Sequence, residues 1–185
     1  ARFGEIVDAA IFVVRRLIDL LLMHHEEVHV VIAEGNHDIV SSLILRKLFG
    51  ALYEAEPRVT VNASEVPYYV YQHGRVMLAI HHGHLKKNES LPLFFAAKFP
   101  EMWGATKWRY CSTGHRHHEQ LIEAPGMKVR QHATLAAPDA HAARGGWLSE
   151  RQAVCETFHA DRGKIGEVVV TPEALDLDEV LPLAA

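Results

Sequence analysis

Apolar residues at Ile6, Ala10, Val13, Val14, Leu17, Ile18 and Leu21 recur at three- and four-residue spacing, which predicts an amphipathic helix from Glu5 to about Met23. The period then changes. "VHVVIA", Val28 to Ala33, is short, β-branched and bounded by charge and glycine. That is the pattern of a buried strand, and it delivers Gly35, Asn36, His37 and Asp38 at its carboxyl end. Helical spacing returns through Leu43, Leu45, Leu48, Leu52 and Tyr53 and stops before Pro57.

"RVTVN" reads as another strand, and "PYYVYQHGRVMLAIHHGH" as a hairpin turning at His73 and Gly74. Its second arm, Val76 to Ile80, runs directly into His81, His82 and His84. "LPLFFAAKF" predicts a short helix, and "KWRYCST" a strand that opens onto Gly114-His115-Arg116-His117-His118. "EQLIEA" and "MKVRQHAT" are expected to pair across Pro125 and Gly126, and "EVVVT" to supply a last strand before Pro172. The alternation of helices and strands predicts an α/β domain over 1–171, followed by a patternless acidic tail over 172–185. With 185 residues and 49% hydrophobic side chains, one core suffices.

A net charge of −4 gives the whole chain no reason to seek nucleic acid or an anionic membrane non-specifically, so a phosphate-rich substrate must be gripped locally. Arg15, Arg16 and Asp19 interrupt the long apolar run near the start, which argues against a membrane span or membrane partner. Two cysteines, Cys111 and Cys155, are too few for a disulfide framework or a thiolate zinc site, and a cytoplasmic location is expected.

Fourteen histidines occur, and those at 81, 82 and 84 and at 115, 117 and 118 are bunched at strand exits. Each block alone has a plain alternative: "GNHD" would serve as a helix cap, and "GHRHH" as a solvated turn. Taken together, imidazoles and an amide oxygen at the ends of several strands suit a borderline divalent cation such as Mn, Fe, Zn, Ni or Co. Magnesium and calcium prefer oxygen shells. Two such cations about 3.5 to 4 Å apart clamp a phosphoryl group and activate water.

Gly35-Asn36-His37-Asp38, then "IHHGH", then Gly114-His115-Arg116-His117 resemble the second half of the calcineurin-like metallophosphoesterase signature. In that family the order is Asp-x-His, Gly-Asp, Gly-Asn-His-Asp/Glu, a strand-end His, and Gly-His-x-His. The resemblance is to phage and bacterial members, loosely grouped with DNA-repair nucleases, and runs from the first helix to about Thr171. It implies a sandwich of two mixed β-sheets flanked by helices, here lacking its first strands. It also implies two divalent ions, manganese first among the candidates, and hydrolysis by a hydroxide held between them. Asn36 and His115 would ligate the second metal and His117 the first. His37 would face the substrate and protonate the leaving oxygen, with Asp38 holding its other ring nitrogen.

The strand-end ligand is either His81 or His82. Alternation does not decide between them because both strand faces are apolar, and the "HGH" pairing favours His82, with His84 as an auxiliary group. Lys86 is a candidate contact to substrate phosphate, beside the plainer reading of a solvated loop. Trp103 and Trp108 read as a base-stacking wall or, more simply, as a packed loop.

Asp-x-His and Gly-Asp are not found ahead of the first helix. Gly4-Glu5 is a poor Gly-Asp because it opens a helix, and Asp139 to His141 is an Asp-x-His with no Gly-Asp after it. The expected reading is therefore an amino-terminally truncated domain. The activity expected is that of a nuclease or phosphodiesterase on DNA or nucleotides. The alternatives are a phosphomonoesterase, a small-molecule phosphodiesterase, or a non-catalytic interaction domain that has lost its first metal.

Overall fold

A computed structural model describes residues 3–137 and 149–174, and the chain divides into two compact units, Ala1–Tyr69 and Val70–Ala185. The pair Asp139 and His141 and most of the acidic tail lie outside the described residues.

In the first unit, α1 (Phe3–Leu22) and α2 (Ile39–Leu52) accompany a two-stranded parallel sheet of β1 (Val28–Val30) and β2 (Val59–Val61). The core is Ile18, Val28 and Phe49, with Val14, Leu21, Ile32 and Leu45 packed against it; of the positions expected on the buried helix faces, Ile6, Val13, Leu17 and Leu52 are exposed. Tyr53 donates to the Asp19 carboxylate at 2.6 Å and Arg58 to the Leu22 carbonyl at 3.2 Å, which ties both helix ends to the unit. β1 is shorter than the apolar run that announces it. Its partner ends at Val61, where the Asn62 side chain turns the backbone by accepting from the Ser64 N–H.

The second unit is built on a five-stranded mixed sheet, ordered β3 (Tyr69–His73), β4 (Val76–Ile80), β5 (Trp108–Thr113), β7 (Met127–Gln131), β6 (Gln120–Ala124). β4, β5 and β7 run parallel, with Ile80 opposite Ser112 and Thr113 opposite Gln131. Their carboxyl ends therefore reach one edge together. The β4–β5 crossover carries α3 (Leu91–Lys98) and α4 (Pro100–Ala105). An antiparallel hairpin of β8 (Ala153–His159) and β9 (Gly163–Val170) covers the face of the sheet that bears Trp108 and Tyr110. The expected α/β class is thus present, as a mixed sheet flanked by helices with a smaller sheet against it.

The hairpin turn depends on Gly163. Its φ is +77°, and a Cβ there would lie 2.6 Å from the Tyr110 hydroxyl and 3.0 Å from the Trp108 ring, so only glycine allows the turn this close. β8 is invisible to simple alternation because one of its inward positions is Glu156, whose charge is met by Arg130 at 3.3 Å and Lys164 at 2.6 Å. The segment carrying Trp103, whose plainer reading from the sequence is a packed loop, is instead α4. It forms behind Pro100 at its first position, and Thr106 closes it by donating to the Met102 carbonyl at 2.8 Å.

Arg130 also pairs with Glu119 and Glu167, and Lys164 with Glu167. These pairs line a cavity of about 760 Å³ between hairpin and sheet. Hydrogen bonds from Arg130 and then Lys164 hold the Glu167 carboxyl at about 2, well below the ordinary carboxylate range. A depressed folded-state value adds stability above the ordinary carboxylate pKa, and that stability is lost as pH falls through about 2. Glu167→Gln is accordingly expected to melt below the wild type at pH 6. Thermal midpoints measured from pH 6 down to pH 2 should show the gap closing below roughly pH 4.5; a gap unchanged by pH would contradict the pairing.

Candidate functional site

In the first unit the chain leaves β1 with Glu34 and Gly35 buried and Asn36, His37 and Asp38 exposed. Asp38 stands at the cap position of α2, with φ −136° and ψ 24°, and its carbonyl accepts the Ser42 N–H at 2.7 Å. Its carboxylate accepts the Gly35 N–H. The turn that presents Asn36 and His37 is therefore closed by Asp38 itself.

Behind this turn lies a charged group that the sequence reading missed. Arg46 on α2 is 2% exposed, in the stripe Ser42, Arg46, Phe49 that α2 buries. It donates to the Ile32 carbonyl at 3.2 Å and to the Tyr69 hydroxyl oxygen, and reaches the Glu34 carboxylate at 3.5 Å. The Glu34 N–H donates to the same Tyr69 oxygen at 3.3 Å. Glu34 is the residue immediately before Gly35, so the buried ion pair anchors the base of the turn. An arginine one helical turn before the buried Phe49, on the face of α2 that turns inward, was the available signal.

In the second unit the parallel register of β4 and β5 continues past both strands. The His81 N–H donates to the Ser112 carbonyl at 3.1 Å, and the Gly114 N–H to the His82 carbonyl at 3.0 Å. The two histidine loops therefore run side by side. Gly83, with φ +105°, permits this, because a Cβ there would come within 3.3 Å of the Gly114 carbonyl oxygen. The ring centroids of His82 and His115 are 5.1 Å apart, those of His82 and His84 5.3 Å, and those of His84 and His115 6.2 Å. His81 is 1% exposed and stacks on His84 at 5.8 Å, so it is His82 that stands beside His115.

His115 and His117 both hold left-handed backbone, with φ of 70° and 57°. For non-glycine residues this costs on the order of 1 kcal/mol or more each. His117 is exposed and stands outside the contacts that join His82, His84 and His115.

The Lys86 ammonium lies 4.6 Å from the Phe94 ring centroid, a cation–π contact that holds it over α3. Trp103 lies under the Arg109 guanidinium at 4.4 Å, and Trp108 donates to the Asp161 carbonyl at 3.2 Å beneath the hairpin. Both tryptophans are half-buried, Trp103 on α4 and Trp108 on β5, and neither lies in the loop that was the plainer reading. Burial pushes the Cys111 thiol up to about 12, so it offers no thiolate.

Among the described residues, no group of three or more His, Cys, Asp or Glu side chains is arranged to hold a metal ion. The donors nevertheless suit one chemically. His82, His84 and His115 are imidazoles, and His84 Nδ1 is buried with no hydrogen-bond partner among the described residues, a lone pair or proton in need of a partner. No helix among the described residues is long and apolar enough to cross a membrane.

No family model matches the chain, and no curated protein matches it. Among solved structures it is similar to a conserved uncharacterized protein of Streptococcus pneumoniae TIGR4, described as a predicted phosphoesterase. That likeness covers 77% of this chain and 96% of the other at 12% identity, and with a TM-score of 0.33 it carries no argument about this chain's chemistry.

Proposed function

We propose that the protein is a metal-dependent phosphoester hydrolase, a nuclease or phosphodiesterase acting on DNA or nucleotides. The supporting observation is the gathering of His82, His84 and His115 at the carboxyl ends of two adjacent parallel strands, with His115 in a strained conformation. Rigid strand ends that present imidazoles from backbone held out of its preferred region form a site with a function to perform.

In this reading His82 and His115 hold divalent ions, with His84 beside them, Asn36 contributing an amide oxygen and His117 a further imidazole. Such ions, when bound, neutralise phosphoryl charge and lower the pKa of water. His37 donates a proton to the leaving oxygen, and its exposure at the tip of the turn leaves the ring accessible. Asp38 closes the turn that presents it. Lys86, held over Phe94, offers a cation to substrate phosphate.

The test is hydrolysis of bis-p-nitrophenyl phosphate, p-nitrophenyl phosphate and single-stranded DNA by the full chain in Mn²⁺, then after chelation with EDTA. Turnover of the diesters that falls to background on chelation and returns with Mn²⁺ is expected, with little turnover of the monoester. Preferred turnover of the monoester would move the assignment to a phosphomonoesterase. A second reading, a non-catalytic binding domain, is favoured by the lack of a ready three-donor metal arrangement among the described residues; it predicts no turnover of any of the three substrates.

A further inference from the structure

Three buried polar side chains form a directed chain of hydrogen bonds behind the histidine edge. Thr113 Oγ1 donates to Asn88 Oδ1 at 3.2 Å, Asn88 Nδ2 donates to Gln131 Oε1 at 3.1 Å, and Gln131 Nε2 donates to the His118 carbonyl at 2.9 Å. Asn88 is 5% exposed, Thr113 4% and Gln131 1%. Each amide uses its oxygen as acceptor and its nitrogen as donor, so the orientation of both is set, and aligned bonds of this kind polarise and strengthen one another.

The ends of this chain carry its meaning. Thr113 is the residue before Gly114-His115-Arg116-His117, and His118 is the residue after it, so the network clasps the loop at both sides. Asn88 follows the first histidine loop, which joins the two loops through one amide. The His132 N–H adds a backbone bond to the Thr113 carbonyl at 2.8 Å. Inside the clasp sit the two left-handed histidines, His115 and His117. Backbone in that region relaxes unless its surroundings over-determine it. Here the surroundings are an interior network whose rupture would leave buried amide groups unpaired.

We propose that Asn88 and Gln131 are positioning residues, which hold the Gly114–His117 loop in its left-handed conformation so that His115 is presented to a ligand. As far as that ligand is a divalent cation, the inference rests on the function proposed above.

The experiment uses the full chain and four variants of the network or its surroundings. Gln131→Met keeps volume and removes both amide bonds. Thr113→Val removes the first donor, and Thr113→Ser restores it. Val129→Ala, on the same strand and equally buried, weakens the core without touching the network. Two quantities are read: hydrogen exchange at the Gly114 and Arg116 amides, and the dissociation constant for Mn²⁺ by calorimetry.

Gln131→Met and Thr113→Val are expected to speed exchange at both amides roughly tenfold or more. They should weaken Mn²⁺ binding about 10- to 100-fold, as loss of groups that orient ligands does. Thr113→Ser and Val129→Ala should stay near wild type in both. Unchanged exchange in Gln131→Met, equal change in Val129→Ala, or a loosened loop that still binds Mn²⁺ at wild-type affinity would each overturn the proposal. If the wild type itself binds no Mn²⁺, the functional reading fails, and loop exchange alone decides whether the clasp exists.

Discussion

If the proposed function holds, replacing His37 with alanine is expected to lower Mn²⁺-supported cleavage of single-stranded DNA by roughly 10²- to 10⁴-fold, the contribution of a positioned general acid. The size of the effect depends on the leaving group. The deoxyribose oxygen that departs from DNA is a strong base and needs a proton, whereas p-nitrophenolate leaves without one. Bis-p-nitrophenyl phosphate should therefore lose much less. The position of His37 supports this division of labour: the ring is exposed at the tip of a turn closed by the Asp38 carboxylate on the Gly35 N–H, with a buried ion pair beneath. Steady-state rates on both substrates check it. Equal losses on both would assign His37 to charge stabilisation instead of proton donation, and no loss on either would remove it from the chemistry.

Arg46→Ala destabilises the chain by about 3 to 5 kcal/mol, because it strands the Glu34 carboxylate in the interior. The pair is well buried: the Arg46 side chain is 1% exposed and the Glu34 side chain 11%. The alanine also takes away the donor that Arg46 supplies to the Ile32 carbonyl. The double variant Arg46→Met, Glu34→Leu removes both charges at similar volume and should recover most of the loss, since apolar replacement of a buried pair is often neutral or better. Urea unfolding of the wild type and both variants measures this. A loss under about 1 kcal/mol in Arg46→Ala would mean that water or backbone relaxation compensates Glu34, and that the base of the turn is not anchored as described.

Much of the framework was legible in the chain because strand alternation, helix spacing and turn residues act locally. Val76 to Ile80 and Trp108 to Thr113 are strands that end in histidines, and their parallel register brings two histidine loops to one edge. Strand alternation did not choose between His81 and His82, because each face of β4 is apolar, and the "HGH" pairing favoured His82; the continuation of the ladder to Gly114 places His82 beside His115.

Features that depend on partners distant in sequence were not legible. β8 hid behind Glu156, which reads as surface until Arg130 and Lys164 are seen across from it. Gln131 follows Met127 and Val129 at inward positions of β7, so a polar residue in a buried alternation was the signal for the clasp, but its partners Asn88 and His118 come from other loops. The roles of Asn36, His37 and His117 remain those that the family resemblance implies, and they stand as proposals.

The central claim is that the histidine edge of the second unit binds a divalent cation. Mn²⁺ is paramagnetic, and adding it at well below one equivalent to protein with ¹³C-labelled histidine broadens only imidazole signals close to the ion. The account predicts that the His82, His84 and His115 signals disappear first while those of His24, His25 and His159 stay sharp. Uniform loss across all fourteen histidines, or early loss confined to rings other than those three, would contradict it.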